Sequence, residues 1–430
     1  MKKFITHWTF AFVTLVTLTF IGLQEPFVKE ILKLKSFDML IQQEETSLST
    51  DIGIVTIDEK SIEKYGQWPW SRNVIAEVIT DLRRAGAGVI MIPILFSEED
   101  RLGGDDILSQ TLIDNGVVIA QVGTSQINKN SVPRGVAKIG NPLPYLFEWD
   151  GMLGPISKLG QNANGVGVIN TAPEIDGVVR RIPLIMRIGQ DTYPTMAVEV
   201  IRVATGNPSY QVKAGDGGVQ AIRVPGFPII NTDPNARIWL HWNKQVETIS
   251  ASESDFSKFN ARTVIIGMTA EGLGGIIATP VGEQYDYMLS ASTLQTMIDG
   301  KQINRYDVSS FLELVLSFIL GIVVILIARF TPYWFVGLSL LSLYGISVYG
   351  SYYLFNTHLI LSDVSWIIIV ITIVGMHSIF NRFILEFRLK QQIRKKFETY
   401  QHPRQVAELQ QNPRKYTPAG DTKDISSIFS

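Results

Sequence analysis

Four long apolar runs constrain this chain more than any other feature of its sequence. They cover residues 4–23, 311–328, 333–355 and 359–380. Each is close to the length of about 20 residues that a helix needs to cross a bilayer. Only 18% of the residues are charged, against about 25% in an ordinary soluble protein. The pattern predicts four transmembrane helices, three of them close together near the C-terminal end.

The first run has two interpretations. It follows Lys2 and Lys3, as the apolar core of a secretory signal peptide does. It is longer than a usual signal core, however, and no A-x-A-like cleavage site follows at residues 24–27. An uncleaved membrane anchor is therefore favoured, with a cleaved signal peptide as the alternative.

Basic residues beside the runs predict the orientation of the helices. Cytoplasmic flanks of membrane helices are enriched in Lys and Arg. Lys2 and Lys3 precede the first run, Arg329 follows the second, and Arg382 opens a basic segment after the fourth. Both termini are therefore expected in the cytoplasm of a multi-pass protein of the inner or plasma membrane, in contact with lipid. Residues 24–307 are expected outside, and their net acidity argues against nucleic acid as a partner.

The exterior segment alternates between strand and helix patterns. Short β-branched or wholly apolar stretches predict buried strands, and apolar residues at the helical period predict the helices between them. The predicted strands cover residues 52–57, 89–95, 117–122, 165–170, 178–186, 237–242 and 263–267. The predicted helices cover 74–85 with Ser71 as N-cap, 105–112, 194–203 with Pro194 at its start, and 287–298. This alternation predicts an α/β extracytoplasmic domain joined to the four transmembrane helices.

Few residues are available for catalysis. The chain has no Cys, which excludes thiol catalysis, iron–sulfur clusters and disulfides. Its five His never occur at a metal-ligand spacing such as His-x₃-His. His241, flanked by Trp239 and Trp242, is interpreted as a core or rim residue. No catalytic residue, metal ligand or cofactor-binding residue is therefore predicted within this chain.

Four polar residues are the candidates for binding an unknown extracytoplasmic ligand. Asp58 follows a predicted strand, at the edge where open α/β sheets bind ligands, and Arg72 follows soon after it. Asn170 and Asp176 are expected to contribute to the same polar pocket. In the alternative interpretation Asp58 caps a turn and pairs with Arg72, and Asp176 only begins a hairpin turn with Gly177.

Most of the exterior segment resembles a known sensory family. The matching stretches, in the expected order, are IVTIDEKSIEKYGQWPWSR (54–72), ILFSEED (94–100), GVGVINTAPEIDGVVRRIPL (165–184), TYPTMAVEV (192–200) and TVIIGMTAEGLGGIIATPVG (263–282). They resemble the CHASE type-2 extracellular sensory domain of bacterial receptors, in which three membrane helices usually follow. Pro93 and the pair Gly274-Gly275 depart from the family, which tends to have Asp there. The resemblance implies a signal-sensing module.

The segment after the fourth run continues as an amphipathic helix. Leu385, Leu389, Ile393 and Phe397 recur every four residues among charged residues. Two copies are expected to pair through this face, which makes the protein a homodimer. The alternative is a solitary basic helix on anionic lipid.

Residues 395–430 resemble the entry into a class III adenylate/guanylate cyclase domain, in the stretch KKFETYQHPRQVAELQQNPRKYTPAGDTKDISSIFS. The resemblance implies a receptor-type cyclase, whose Mg²⁺ or Mn²⁺ and ATP belong to a catalytic domain expected to be missing. The chain is expected to be catalytically incompetent as written. The alternatives are the sensor of a histidine kinase, a membrane-anchored exterior enzyme and a transporter subunit.

The expected division follows from these patterns. It assigns residues 1–23 to the cytoplasmic start and first helix, 24–307 to the sensory domain, 308–381 to three membrane helices, 382–418 to a linker helix and 419–430 to the start of a truncated cyclase domain.

Overall fold

A computed structural model describes residues 8–125, 128–306 and 308–400, and at 8, 128 and 393–400 it describes the backbone alone. The cyclase-like segment from 401 onward, with the expected domain start at 419, therefore lies outside the described residues. The chain forms two compact units. Of the described residues, one comprises 8–26, 312–347 and 366–400, and the other comprises those between 27 and 311 and Val348–Ser365.

The described helices are α1 (Trp8–Leu23), α2 (Phe27–Ile41), α3 (Glu59–Tyr65), α4 (Arg72–Arg84), α5 (Asp105–Leu112), α6 (Ser157–Asn162), α7 (Met196–Ala204), α8 (Tyr287–Asp299), α9 (Ser309–Phe330), α10 (Tyr333–His358) and α11 (Ser365–Tyr400). The described strands are β1 (Ser47–Ile57), β2 (Ile90–Ile92), β3 (Val117–Thr124), β4 (Asn128–Lys129), β5 (Val136–Ile139), β6 (Phe147–Glu148), β7 (Gly151–Leu153), β8 (Gly165–Val168), β9 (Arg181–Pro183), β10 (Ile185–Ile188), β11 (Asp191–Pro194), β12 (Tyr210–Gly215), β13 (Gly218–Arg223), β14 (Ile230–Asn231), β15 (Arg237–Trp239), β16 (Lys244–Ser250), β17 (Thr263–Met268), β18 (Ile276–Thr279) and β19 (Gly282–Tyr285).

A parallel sheet forms the centre of the α/β unit. Its strands lie in the order β16-β1-β17-β2-β3-β8. Strands β7 and β4 extend the sheet from the end of β3, and β7 runs antiparallel to β3. Successive side chains point to opposite faces of a strand. Ile54 accordingly packs into one hydrophobic core and Val55 into the other, so the sheet is buried on both faces, as apolar strands of this kind require.

Smaller sheets complete the α/β unit. They are the sheet β14-β13-β12-β5, the sheet β11-β10-β6, the pair β15-β9 and the hairpin β18-β19. Residues of α2, α7 and α8 pack into the core on their side of the central sheet, among them Phe37, Val198 and Leu294. The expected α/β class is confirmed.

Most predicted elements agree with the structure, and two do not. Helix α5 has the predicted bounds, and Ser71 caps α4 by accepting a hydrogen bond from the backbone N–H of Asn73. The predicted strand 178–186 is wrong, because it is divided between β9 and β10. Pro194 does not begin a helix but ends β11, and Thr195 occupies the N-cap of α7.

Within the described part of the chain, three helices are long and apolar enough to cross a membrane: Ser309–Phe330, Tyr333–His358 and Ser365–Gln392. The expected fourth span is not confirmed. The described part of α1 has 16 residues, and it qualifies only if it is counted with α2 as one broken span. Within the helical unit, Thr14 of α1 is hydrogen-bonded to His377 of α11 at 2.8 Å. Tyr344 of α10 contacts Thr372 of α11 at 2.7 Å.

Candidate functional site

Asp58 lies at the carboxyl end of β1 and is the N-cap of α3. Its Oδ1 accepts hydrogen bonds from the backbone N–H of Ser61 at 2.9 Å and from the hydroxyls of Ser61 and Ser250, both at 2.7 Å. Partial burial acts to raise the pKa of Asp58, but these hydrogen bonds outweigh it, and the pKa lies below its usual value. The carboxylate is therefore held ionised by Ser61 of α3 and Ser250 at the end of β16.

Arg72 is not paired with Asp58. The alternative interpretation, in which these two side chains form a pair, was therefore wrong on this point. The Arg72 guanidinium lies 4.5 Å from the centre of the Phe96 ring, and its Nε is 3.6 Å from Oδ1 of Asp105. Its backbone N–H donates to Asp100 at 2.7 Å. Arg72 thus joins the start of α4 to the segment that leads into α5.

The Asn170 side chain forms hydrogen bonds with the backbone of β3. Its Oδ1 accepts the N–H of Gly123 at 2.6 Å, and its Nδ2 donates to the carbonyl of Gly123 at 3.0 Å. No described hydrogen bond or ion pair joins any two of Asp58, Arg72, Asn170 and Asp176, and each has its own set of partners. Ligand binding by these four residues remains a prediction.

Asp176 belongs to a buried charge cluster centred on Arg180, whose side chain is 0% exposed. Arg180 donates to Asp176 at 2.7 and 2.8 Å and to Asp38 of α2 at 2.6 and 2.8 Å. Lys35, also on α2, has its Nζ 3.1 Å from Asp176. We call Lys35, Asp38, Asp176 and Arg180 the Arg180 cluster; it fixes α2 to the turn at Gly177 with two charges of each sign.

Hydrogen bonding dominates the electrostatics of this cluster. The hydrogen bonds from Arg180 hold the pKa of Asp176 far below its ordinary value, against the effect of partial burial. Burial acts to lower the pKa of Arg180, but the two carboxylates outweigh it and the pKa is raised. Asp176 and Arg180 are therefore both charged at neutral pH.

A second network joins the segment after α2 to the segment after α8. His241 Nδ1 lies 2.8 and 2.9 Å from the two carboxylate oxygens of Glu44, and Nε2 lies 2.8 Å from the carbonyl oxygen of Lys301. The backbone N–H of His241 donates to Thr296 of α8. The two ring nitrogens thus face oxygen acceptors only, and the ring makes both hydrogen bonds when both nitrogens carry protons. The interpretation of His241 as a buried structural residue agrees with this position.

The α/β unit also contains a cavity of about 450 Å³, within the usual range for small-molecule sites. Asn231, Thr232, Asp233, Arg237 and Arg305 lie on its wall. The Thr232 hydroxyl is buried without a hydrogen-bond partner among the described residues. The cavity therefore offers both donors and acceptors, and it contains none of the four residues singled out from the sequence.

Comparison with known protein families shows to which family the chain belongs. Residues 11–328 match the CHASE2 domain. The chain belongs to the CHASE2 domain family. The match begins within α1 and ends within α9, so it includes the whole segment between the first two apolar runs. No curated protein and no solved structure matches this chain.

The CHASE2 assignment places these contacts in a sensor, since a CHASE2 domain is an extracellular sensor.

The sequence did not single out Asp38, Arg180 or Glu44, although Asp176 and Arg180 stand at an i, i+4 spacing that favours pairing. Asp38 is 142 residues from Arg180 along the chain, and no local pattern connects them. Among the described residues, no group of three or more His, Asp or Glu is arranged to hold a metal ion.

Proposed function

We propose that this chain is the sensing and membrane-spanning part of a bacterial receptor whose output is a class III nucleotide cyclase. The observation that carries the proposal is the match of residues 11–328 to the CHASE2 sensory domain, directly ahead of apolar helices that can cross a membrane. The likeness of residues 395–430 to a cyclase entry supports the choice of output. Mg²⁺ or Mn²⁺ and ATP would then serve the output domain.

The proposed topology puts both termini in the cytoplasm and residues 24–307 outside. It rests on Lys2 and Lys3 before α1, Arg329 at the end of α9 and the basic segment from Arg382 in α11. The cavity of about 450 Å³ is the proposed place for an exterior ligand, because it combines hydrogen-bonding groups with a buried hydroxyl that lacks a partner among the described residues.

Fusions of the full chain to reporters test the topology. Alkaline phosphatase inserted after Gly135, in the exterior segment, should be active, and the same enzyme fused at the C-terminal end should be inactive. Green fluorescent protein at the same two positions should give the reverse. Phosphatase activity at the C-terminal fusion alone would contradict the proposed orientation.

A second experiment tests the output. The chain is fused in frame to the catalytic domain of a receptor cyclase, and cyclic nucleotide is measured in cells that lack their own cyclase. We expect Arg180→Met to change the cyclic nucleotide level, because it loosens α2, which follows the first membrane helix. Arg84→Ala, at a side chain that is 72% exposed, should leave that level unchanged. Equal levels in all three fusions, at equal abundance, would argue against a coupled output.

The proposed homodimer has its own test. The chain has no native Cys, so a single Leu389→Cys variant reports on one position only. Leu389 is exposed on α11, just beyond the apolar stretch. We expect oxidation to yield a disulfide-linked dimer in membranes. A product that stays monomeric would count against pairing through this face.

A further inference from the structure

The helical unit contains a groove at the end of α9 where basic residues cluster. We call this the Arg329 groove; its volume is about 280 Å³. Its apolar walls come from Ala11, Ile325, Ala328 and Leu385, and its polar atoms come from Ser378, Asn381, Arg329, Arg382 and Glu386. The groove thus combines a surface suited to an acyl chain with a set of hydrogen-bond donors.

Two of those donors are buried and unused. Ser378 is 8% exposed and Asn381 is 4% exposed. The Ser378 hydroxyl and the Asn381 amide nitrogen have no hydrogen-bond partner among the described residues. An unpaired buried donor costs about 1–3 kcal/mol, so two that line one groove indicate a missing acceptor.

The charge of the groove identifies the kind of acceptor. Arg382 donates to the carbonyl of Ala328 at 3.0 Å and to Glu386 at 3.2 Å, so its charge and that of Glu386 offset each other. The Arg329 side chain makes no hydrogen bond or ion pair with another described residue, so no described carboxylate offsets its charge. An anion that accepts several hydrogen bonds, such as a phosphate, satisfies both the charge and the unused donors.

We propose that the Arg329 groove binds the phosphate of an anionic phospholipid, with an acyl chain along its apolar wall. A lipid is favoured over free phosphate because α9 and the start of α11 are apolar enough to cross a membrane and both basic residues lie at the end of that apolar stretch. Basic sites between membrane helices are suited to lipid headgroups for this reason. The assignment depends on membrane insertion and not on the cyclase output, so either can fail without the other.

Native mass spectrometry of the full chain in a mild detergent tests this proposal. The probes are phosphatidylglycerol and phosphatidylcholine with identical acyl chains. We expect phosphatidylglycerol to be retained preferentially. Arg329→Gln should weaken its binding about fivefold, since one basic residue near an anionic headgroup contributes about that factor. The matched control is Lys390→Gln, which removes the same charge from an exposed position on α11 outside the groove and should change binding less than twofold.

Further variants and probes distinguish a bound lipid from a free phosphate and from a second copy of the chain. Asn381→Leu, which removes a buried donor to the phosphate, should weaken the retention of phosphatidylglycerol; Arg329→Gln keeps the test decisive if that variant does not fold. Equal retention of phosphatidylcholine, or equal effects of Arg329→Gln and Lys390→Gln, would overturn the proposal. Thermal stabilisation by inorganic phosphate alone would reassign the site to a free anion. Leu389 also lines the groove, so loss of phosphatidylglycerol from the disulfide-linked Leu389→Cys dimer would show that a second copy of the chain fills the groove.

Discussion

Replacing Arg180 by methionine removes the guanidinium that Asp38 and Asp176 share. The variant loses four charge-assisted hydrogen bonds of 2.6–2.8 Å and leaves two carboxylates facing an apolar side chain. Breaking a buried pair in this way costs about 3–5 kcal/mol. Lys35 still lies 3.1 Å from Asp176 and compensates part of the loss, so we expect about 3 kcal/mol.

Thermal unfolding of the full chain in detergent measures this loss. For a domain of this size, 3 kcal/mol corresponds to a fall in Tm of roughly 6–12 °C. Arg84→Ala is the matched control, because it also removes an arginine from an ion pair but at an exposed position. An exposed pair contributes at most about 1 kcal/mol, so its Tm should fall by no more than a few degrees.

A rescue variant separates the effect of charge from that of packing. Asp38→Asn and Asp176→Asn, added to Arg180→Met, remove the unpaired carboxylates and should restore most of the lost stability. Replacing every member of a buried ion pair by neutral groups is often close to neutral in stability. If the triple variant is as unstable as Arg180→Met alone, the loss comes from packing and the electrostatic reasoning is wrong. A Tm of Arg180→Met equal to that of Arg84→Ala would refute it as well.

Two further predictions concern the Arg180 cluster and the His241 network. Because the folded-state pKa of Asp176 lies below its unfolded value, its ionisation stabilises the fold above about pH 4, and this stability is lost as the pH falls through the folded value. Asp176→Asn should therefore be less stable at pH 7 but lose less stability than the wild type between about pH 4 and pH 2 in urea titrations; parallel curves would contradict this. His241→Leu leaves Glu44 without its partner and should cost about 1–3 kcal/mol in the same assay. The exposed-pair variant Lys258→Ala should cost under about 1 kcal/mol, and equal losses in the two would show that the His241 network contributes nothing.

The central sheet could be predicted because its evidence is local. A β-branched stretch such as 263–267 is apolar on both faces, and a parallel strand between two cores needs that composition. The period of α4 and its cap at Ser71 are likewise contained in a few neighbouring residues. The strand expected at 178–186 failed because residues 181–183 and 185–188 pair with different sheets, which a run of β-forming residues cannot indicate.

The candidate site was only partly predictable, for a related reason. Asp58 and Ser61 stand at the spacing of a helix cap, and Asp176 and Arg180 stand four residues apart, so both contacts have a local signal. Asn170 completes the backbone hydrogen bonds of a strand 47 residues earlier. Helix α2 was not predicted at all. Its polar residues follow an apolar run in the sequence, and the burial of its Asp38 is explained only by Arg180, 142 residues away along the chain. Composition and periodicity do not carry information about such pairs.

The Arg180 cluster and the His241 network have a common consequence for a sensor. Helix α2 follows α1 in sequence, and Lys301 precedes α9, so the two networks include residues near both ends of the segment 27–311. A bidentate ion pair is made in one register only. The double contact of Arg180 with Asp38 therefore sets the position of α2 relative to the turn at Gly177. If this domain senses a ligand as proposed, any displacement that reaches α2 must either carry the Arg180 cluster along or break it. Since breaking it costs about 3 kcal/mol and an ordinary allosteric coupling amounts to about 1–3 kcal/mol, a rigid displacement of α2 together with the cluster is the expected response.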